Sequence, residues 1–299
     1  MGNAHLIRTL VFVGGHDPDR IRSIAESGPD AVCIDLEDST PVRFKDQARV
    51  GFRDAAKVIV SAGAYVFART NIPSAGMADD LEACMCPELH CLSVPKVESA
   101  PEVVDFVAMV EDAERRHGLA AGSVLVRPII ETAQGVRMAY DIAAASPRVA
   151  YLGGVEGGVF GDLGGQLGYQ QTDTGAETMY LRSKILIDVR AAGVPFPIGG
   201  GTTARKDSEG ARAFAAENRM LGYSGVHCGT TPEMIAASNE VFTPSREDLD
   251  GWLEIMPTLE AAEAEGLHVA HVGDKVYDLV GLIRVREQLV LARKLGIID

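Results

Sequence analysis

Leu6-Ile7-Arg8-Thr9-Leu10-Val11-Phe12-Val13, an amphipathic stretch from Asp17 to Ser27, and then Ala31-Val32-Cys33-Ile34-Asp35-Leu36-Glu37-Asp38 together decide the fold. Two short apolar runs rich in β-branched residues flank a segment with helical spacing, the pattern of a strand–helix–strand unit with parallel strands. Working outward, similar runs recur at Ala64–Arg69, Cys91–Val94, Val124–Ile130, Val149–Gly153, Pro195–Ile198 and Gly225–Cys228. Helical stretches are expected between them at Asp46–Ser61, Ala100–His117, Ala176–Ala192, Ser208–Leu221 and Pro232–Val241, several opened by Ser, Asp or Pro as helix starts prefer. About eight such strands predict an α/β fold closed as a (β/α)8 TIM barrel over residues 1–244. After Phe242-Thr243-Pro244-Ser245 the chain turns rich in Glu and Ala, so residues 245–299 are expected to form a C-terminal helical extension.

The 299 residues suffice for one large domain, and 46% hydrophobic with 23% charged residues is the balance of a globular chain. With 28 Lys and Arg against 42 Asp and Glu, the formal charge of −14 opposes the counterion release that drives nucleic-acid binding, and equally a basic membrane footprint. A small-molecule substrate is favoured, with no nucleic acid and no membrane as partner. No basic and apolar leader opens the chain and no stretch of about 18 apolar residues interrupts it, so a cytoplasmic location is expected. Five cysteines include a crowded Cys84, Cys86, His90, Cys91 group, but its spacing is not that of a zinc knuckle, and buried small hydrophobes are the expectation. Nucleotide loops and G-x-S-x-G are absent.

Charged residues gather where a parallel barrel would open. Asp35-Leu36-Glu37-Asp38 follows the second run, Arg69-Thr70-Asn71 the third, Pro95-Lys96-Val97-Glu98 the fourth and Glu131-Thr132 the fifth. A glycine-laden loop from Gly153 to Asp162, containing Glu156 and Gly161, follows the sixth. Any one of these acids alone reads equally well as a solvated loop residue or helix cap. Repeated at successive strand ends, where an unused charge is costly, they read as a site. Glu131 and Asp162 at adjacent strand ends supply the oxygen donors that octahedral Mg²⁺ or Mn²⁺ asks for.

The runs Arg8–Gly15, Asp35–Asp38 with Lys45–Arg49, Arg69–Asn71, Pro95–Ser99, Ile130–Ala133, Tyr180–Lys184, Phe242–Ser245 and Asp274–Asp278, taken in order, resemble the citrate lyase β-subunit-like group of the HpcH/HpaI aldolase superfamily. The resemblance implies a barrel with Mg²⁺ held by Glu131 and an aspartate. Run forward from the strand, the alignment sets Gly157 opposite that aspartate; anchored on Asp162–Gly168, it selects Asp162, with Glu156 the alternative ligand. It makes Arg69 the cation that steadies an enolate or carbonyl oxygen, the other reading being a structural ion pair with Glu37 and Asp38. Asp278 resembles a late acid presented to a neighbouring subunit, so a homo-oligomer, trimer or hexamer, is implied. Catalytic roles are thus expected for Arg69, Asp278, Glu37 and Asp38, and substrate contacts for Asn71, Lys96, Arg8 and Gly161.

The implied reaction is carbon–carbon cleavage of a small 3-hydroxy acyl-CoA (malyl-, methylmalyl- or citramalyl-CoA) to an acyl-CoA plus glyoxylate or pyruvate, CoA being part of the substrate. Three departures fall at the expected barrel mouth: Thr231 stands where relatives carry a His, Gly199–Ala204 replaces an aromatic and an acid, and Gly14-Gly15 replaces a Pro-Gly. Two other readings therefore stand beside it, a CoA-independent class II aldolase acting on a free acid and a non-catalytic scaffold subunit.

Overall fold

Strands β1 (Thr9–Gly14), β2 (Ala31–Asp35), β3 (Tyr65–Arg69), β4 (Leu89–Val94), β5 (Leu125–Pro128), β6 (Ile198–Gly199) and β7 (Gly225–His227) form one sheet in the order β5-β4-β3-β2-β1-β7-β6. Every pairing is parallel. This is a computed structural model, described over residues 4–154, 162–172, 174–201 and 206–299. Two units result, one ending at Phe242 and one beginning at Thr243.

A parallel sheet covered on both faces needs strands that are apolar on both sides, which is why the runs read as nearly continuous apolar sequence. One set of alternate residues, including Val11, Val13, Val32, Ile34, Val66, Ala68, Leu92 and Val126, packs with helix residues such as Ile21, Phe52, Ile59 and Val110. The other set, Leu10, Ala31, Cys33, Phe67, Cys91 and Leu125, forms a separate cluster with Tyr151 and Ile198. Ile198 lies in β6 and Leu125 in β5, the two edge strands of the sheet. Residues from both edges can share one apolar cluster only if the sheet curls around it, so the first unit is a curled α/β sheet with helices outside.

The helices follow their signals. Asp17 accepts the Arg20 N–H at 2.9 Å to open Pro18–Glu26, and Asp207 accepts the Gly210 N–H at 2.7 Å to open Ser208–Leu221. Helices Lys45–Ser61, Ala100–His117, Ala176–Ala191 and Pro232–Phe242 stand within a residue of their expected bounds.

Among the described residues seven strands form the sheet where about eight were expected, and the sixth run is the difference. Val149 makes a single parallel bridge to Val126, and no ladder continues along 150–153. Gly153 and Gly154 turn the chain at φ +143° and +74°, out of the extended region that a ladder needs. A Cβ on Gly154 would fall 1.7 Å from the Gly200 nitrogen, so this segment passes directly against the chain leaving β6.

The second unit holds helix Arg246–Ala264, an antiparallel pair β8 (Val269–Val272) and β9 (Lys275–Asp278), and helix Leu282–Lys294. Leu259, Ala262, Ala270 and Leu282 form its apolar centre.

Phe67 lies at the middle of the enclosed cluster, fully buried, with its ring 5.2 Å from that of Tyr151. Replacing it with Ala leaves a cavity in a close-packed interior, and urea unfolding of Phe67→Ala is expected to show a loss of about 3–5 kcal/mol.

Candidate active site

The sheet register sets Gly14, Asp35, Arg69, Ser93 and Arg127 side by side across five adjacent strands, at or near their C-terminal ends. The row below it is Phe12, Cys33, Phe67, Cys91 and Leu125. A polar and charged layer therefore rests on an apolar one. Asp35 is fully buried and accepts four N–H groups: Arg69 Nε at 2.8 Å and Glu37 N at 2.9 Å on Oδ1, Arg69 Nη2 at 2.5 Å and Ser39 N at 2.8 Å on Oδ2. Burial alone would raise its pKa, but the bidentate guanidinium and the amides of the loop hold it below the usual carboxylate range. A saturated carboxylate of this kind is an anchor, not a base.

Arg69 carries the anchoring outward. Its Nη1 lies 3.0 Å from Glu37 Oε2, an ion pair without the alignment of a hydrogen bond, and 4.0 Å from the exposed Asp38. Burial disfavours the charged guanidinium, yet Asp35, Glu37 and Glu131 together hold its pKa above the ordinary arginine value. Two of its five donors are taken by Asp35 and Nη1 also faces Glu37, which leaves N–H groups on Nη1 and Nη2 outside the Asp35 bonds. Burial also raises the Glu37 carboxyl, with Arg69 and Lys96 pulling it back and Asp38 pushing it further up. Lys96 Nζ stands 3.2 Å from Glu37 Oε1, and the Lys96 N–H donates to Glu131 Oε1 at 2.8 Å. Arg69, Glu37, Asp38, Lys96 and Glu131 are thus joined in one contiguous set.

Glu131 is buried at the end of the β5 segment and is followed by Thr132, whose hydroxyl accepts the Gly135 N–H at 3.0 Å and caps helix Ala133–Arg137. Gly135 has no room for a side chain, since a Cβ would lie 2.6 Å from the Val97 carbonyl oxygen. Asp162 opens helix Asp162–Leu167, and Gln166 of that helix accepts the Ala133 N–H at 2.8 Å through Oε1. This bond pins the helix that carries Asp162 two residues beyond Glu131. The buried Glu131 carboxylate is a hard oxygen donor of the kind Mg²⁺ or Mn²⁺ takes, while among the described residues no group of three or more His, Cys, Asp or Glu is gathered for an ion. The Asp162 carboxylate, Gly161 and Glu156 lie outside the described atoms.

Asn71 is engaged in the scaffold: its amide donates to Leu36 O at 2.8 Å and to buried Asp80 at 2.7 Å, while Lys45 donates to its oxygen. Arg8 is not brought to the set. It stands before β1 and grips Asp30 through Nε at 2.9 Å and Nη2 at 2.7 Å, at the opposite end of the strands. Asp278 is an exposed residue of β9 in the second unit. Thr231, at the position of the expected His, lends its hydroxyl to the Met234 N–H at 3.4 Å.

Sequence reasoning passed over Asp35 and Arg127 as individual site residues. Arg127 is fully buried, with its guanidinium carbon 5.7 Å from the Phe12 ring centre and that of Arg69 at 5.2 Å. The signal was an arginine two places after Leu125 in an apolar strand, hence on the same, inward face. All five cysteines are buried, and burial raises their thiols, Cys86 to about 11, which leaves them poor nucleophiles near neutral pH.

Because the folded-state pKa of Asp35 is depressed, its ionisation stabilises the fold above the unfolded value of 3.8, and that contribution disappears as pH falls through the folded value. Glu37, raised, acts in the opposite sense. The Asp35→Asn variant is expected to be about 3–5 kcal/mol less stable near neutral pH, because it leaves Arg69 without its buried partner. Urea unfolding of both proteins between about pH 3 and pH 7 should show that gap narrowing on the acid side.

Comparison with known proteins joins this geometry to a family. The family model described as HpcH/HpaI aldolase/citrate lyase matches residues 8–230. The citrate lyase subunit beta-like protein of Deinococcus radiodurans is 32% identical over 267 residues, spanning 87% of this chain and 88% of that one. The L-malyl-CoA/beta-methylmalyl-CoA lyase of Cereibacter sphaeroides is 30% identical over 321 residues, spanning 98% and 95%. The protein CitE of Mycobacterium tuberculosis, solved in complex with magnesium and pyruvate, aligns with a TM-score of 0.62 and 25% identity over 81% of this chain and 92% of its own. The chain belongs to the HpcH/HpaI aldolase/citrate lyase family and is a carbon–carbon lyase of that group.

Proposed function

We propose that this chain cleaves a 3-hydroxy acyl-CoA, of the malyl-, methylmalyl- or citramalyl-CoA type, to an acyl-CoA and glyoxylate or pyruvate. The observation that carries this reading is the buried set at the strand ends, in which a guanidinium with N–H groups to spare, Arg69, is linked through Glu37 and Lys96 to the carboxylate of Glu131. The 30% identity to an L-malyl-CoA/beta-methylmalyl-CoA lyase supports the acyl-CoA substrate, and the CitE complex supports magnesium. Residues 149–154 would complete an eight-stranded barrel by lying between β5 and β6.

Glu131 and Asp162 would hold the ion. When bound, Mg²⁺, or Mn²⁺ in its place, supplies a Lewis acid that polarises the substrate hydroxyl whose oxygen becomes the carbonyl oxygen of the oxo acid. The hydroxyl proton passes to solvent water, the carbon–carbon bond breaks, and the electron pair of that bond moves to the acyl fragment as an enolate. Arg69 donates to the oxygen on which that charge develops, its orientation fixed beforehand by Asp35 and Glu37. The enolate carbon then takes a proton from an acid, for which we propose Asp278 of a neighbouring subunit in a homo-oligomer. Glu37 and Asp38 set the electrostatics around Arg69.

Purified protein with Mg²⁺ is offered the three acyl-CoA esters and their free acids, and glyoxylate and pyruvate are measured, with Glu131→Ala as control. CoA-dependent release that falls at least about a hundredfold in the variant is expected, since second-shell losses alone reach that size. Release from free acids alone would replace this reading with a CoA-independent aldolase, and silence with every substrate would replace it with a scaffold role.

A further inference from the structure

Lys96 has φ +56°, and every other described residue with positive φ is a glycine. For an L-residue that conformation costs about 1–2 kcal/mol, whereas glycine adopts it freely. The chain cannot relax there easily, because Pro95 and Val97 on either side are buried and the Val97 carbonyl is closed in by Gly135. A long cationic side chain retained at a position suited to glycine calls for a reason in the side chain itself, and strain of this kind gathers where a structure holds functional groups in place.

Both ends of the residue are used. The left-handed turn directs the Lys96 N–H to Glu131 Oε1 at 2.8 Å. Its ammonium reaches Glu37 Oε1 at 3.2 Å, while the other oxygen of Glu37 faces Arg69 Nη1 at 3.0 Å. One residue therefore ties the carboxylate after β5 to the acid after β2, and through that acid to the guanidinium ending β3.

We infer that Lys96 is a positioning residue: its backbone fixes the rotation of Glu131, and its ammonium fixes Glu37 and with it Arg69. The role is distinct from substrate contact, and it rests on the lyase reading for its catalytic consequence. Backbone and side chain make separable contributions. Lys96→Gly keeps the N–H in place without strain but removes the ammonium; Lys96→Ala removes the ammonium and leaves a strained turn with nothing to hold it, so that its N–H relaxes away from Glu131; Lys96→Arg keeps a cation.

The test measures Mg²⁺ affinity by calorimetry, kcat and KM for the acyl-CoA ester turned over, and the thermal midpoint of each variant. Lys96→Gly is expected to bind Mg²⁺ within about threefold of wild type and Lys96→Ala about tenfold more weakly, the lower end of the effect of losing an outer-shell partner. In Lys96→Gly, kcat should fall about 10- to 100-fold with KM nearly unchanged, and Lys96→Arg should recover most of that loss. Equal Mg²⁺ affinity in the Gly and Ala variants would overturn the backbone role. A loss confined to KM would overturn the ammonium role in favour of substrate contact. If wild type binds no Mg²⁺ and turns nothing over, the lyase reading falls and Lys96 is judged on stability alone. There, Lys96→Ala should melt about 2–4 °C below Lys96→Gly, and Lys96→Gly with Glu37→Gln should lower the midpoint by less than their sum. Equal midpoints, or additive shifts, would overturn it.

Discussion

The bidentate pair between Asp35 and Arg69 is the constraint on which the site depends. It lies where the register of β2 and β3 sets the two residues opposite each other, so the pairing of those strands places it. Asp35 also collects the amides of Glu37 and Ser39, and its own carbonyl accepts from the Thr40 hydroxyl at 2.5 Å, so the same carboxylate folds the loop after β2. An ion pair so deeply buried adds little net stability, because desolvating both charges offsets their attraction, while removing one partner is severe. Its value here lies in orientation. It fixes one edge of a guanidinium and leaves Nη1 facing Glu37.

Beneath that pair the interior changes abruptly from charged to apolar. Phe12, Cys33, Phe67, Cys91 and Leu125 form the next row down, and Phe12 meets both guanidinium groups above it at distances where a cation is attracted to an aromatic face. An apolar floor strengthens every electrostatic interaction in the layer resting on it. In sign the described set is close to balanced: Asp35, Glu37, Asp38 and Glu131 stand against Arg69, Lys96 and Arg127, one acid in excess.

Much of this was legible in the sequence because strand periodicity and strand-end chemistry are local. Ala31–Asp35 was bounded correctly, and Glu37, Arg69, Lys96 and Glu131, taken as site residues from their positions after successive strands, are brought together. The misses have physical causes. The expected strand Val149–Gly153 has an apolar composition, but two glycines with positive φ at its end and a two-residue β6 beside it leave no ladder to join. Arg8 falls within the motif that carries the family resemblance, yet it precedes β1, and a parallel sheet puts that position at the end of the strands away from Arg69 and Glu131. Asp35 and Arg127 are inward-facing residues within strands, and only the register across five strands shows that they share a layer with Arg69.

The proposed chemistry requires that Glu131, on the helix-pinned segment beside Asp162, hold a divalent cation next to the Arg69 guanidinium. Manganese-soaked crystals grown with pyruvate, measured for anomalous scattering at the manganese edge, test it most directly. One strong peak bonded to a Glu131 oxygen and an Asp162 oxygen is expected, with the pyruvate oxygens between the ion and Arg69. A peak elsewhere, or pyruvate bound with no metal at Glu131, would contradict it.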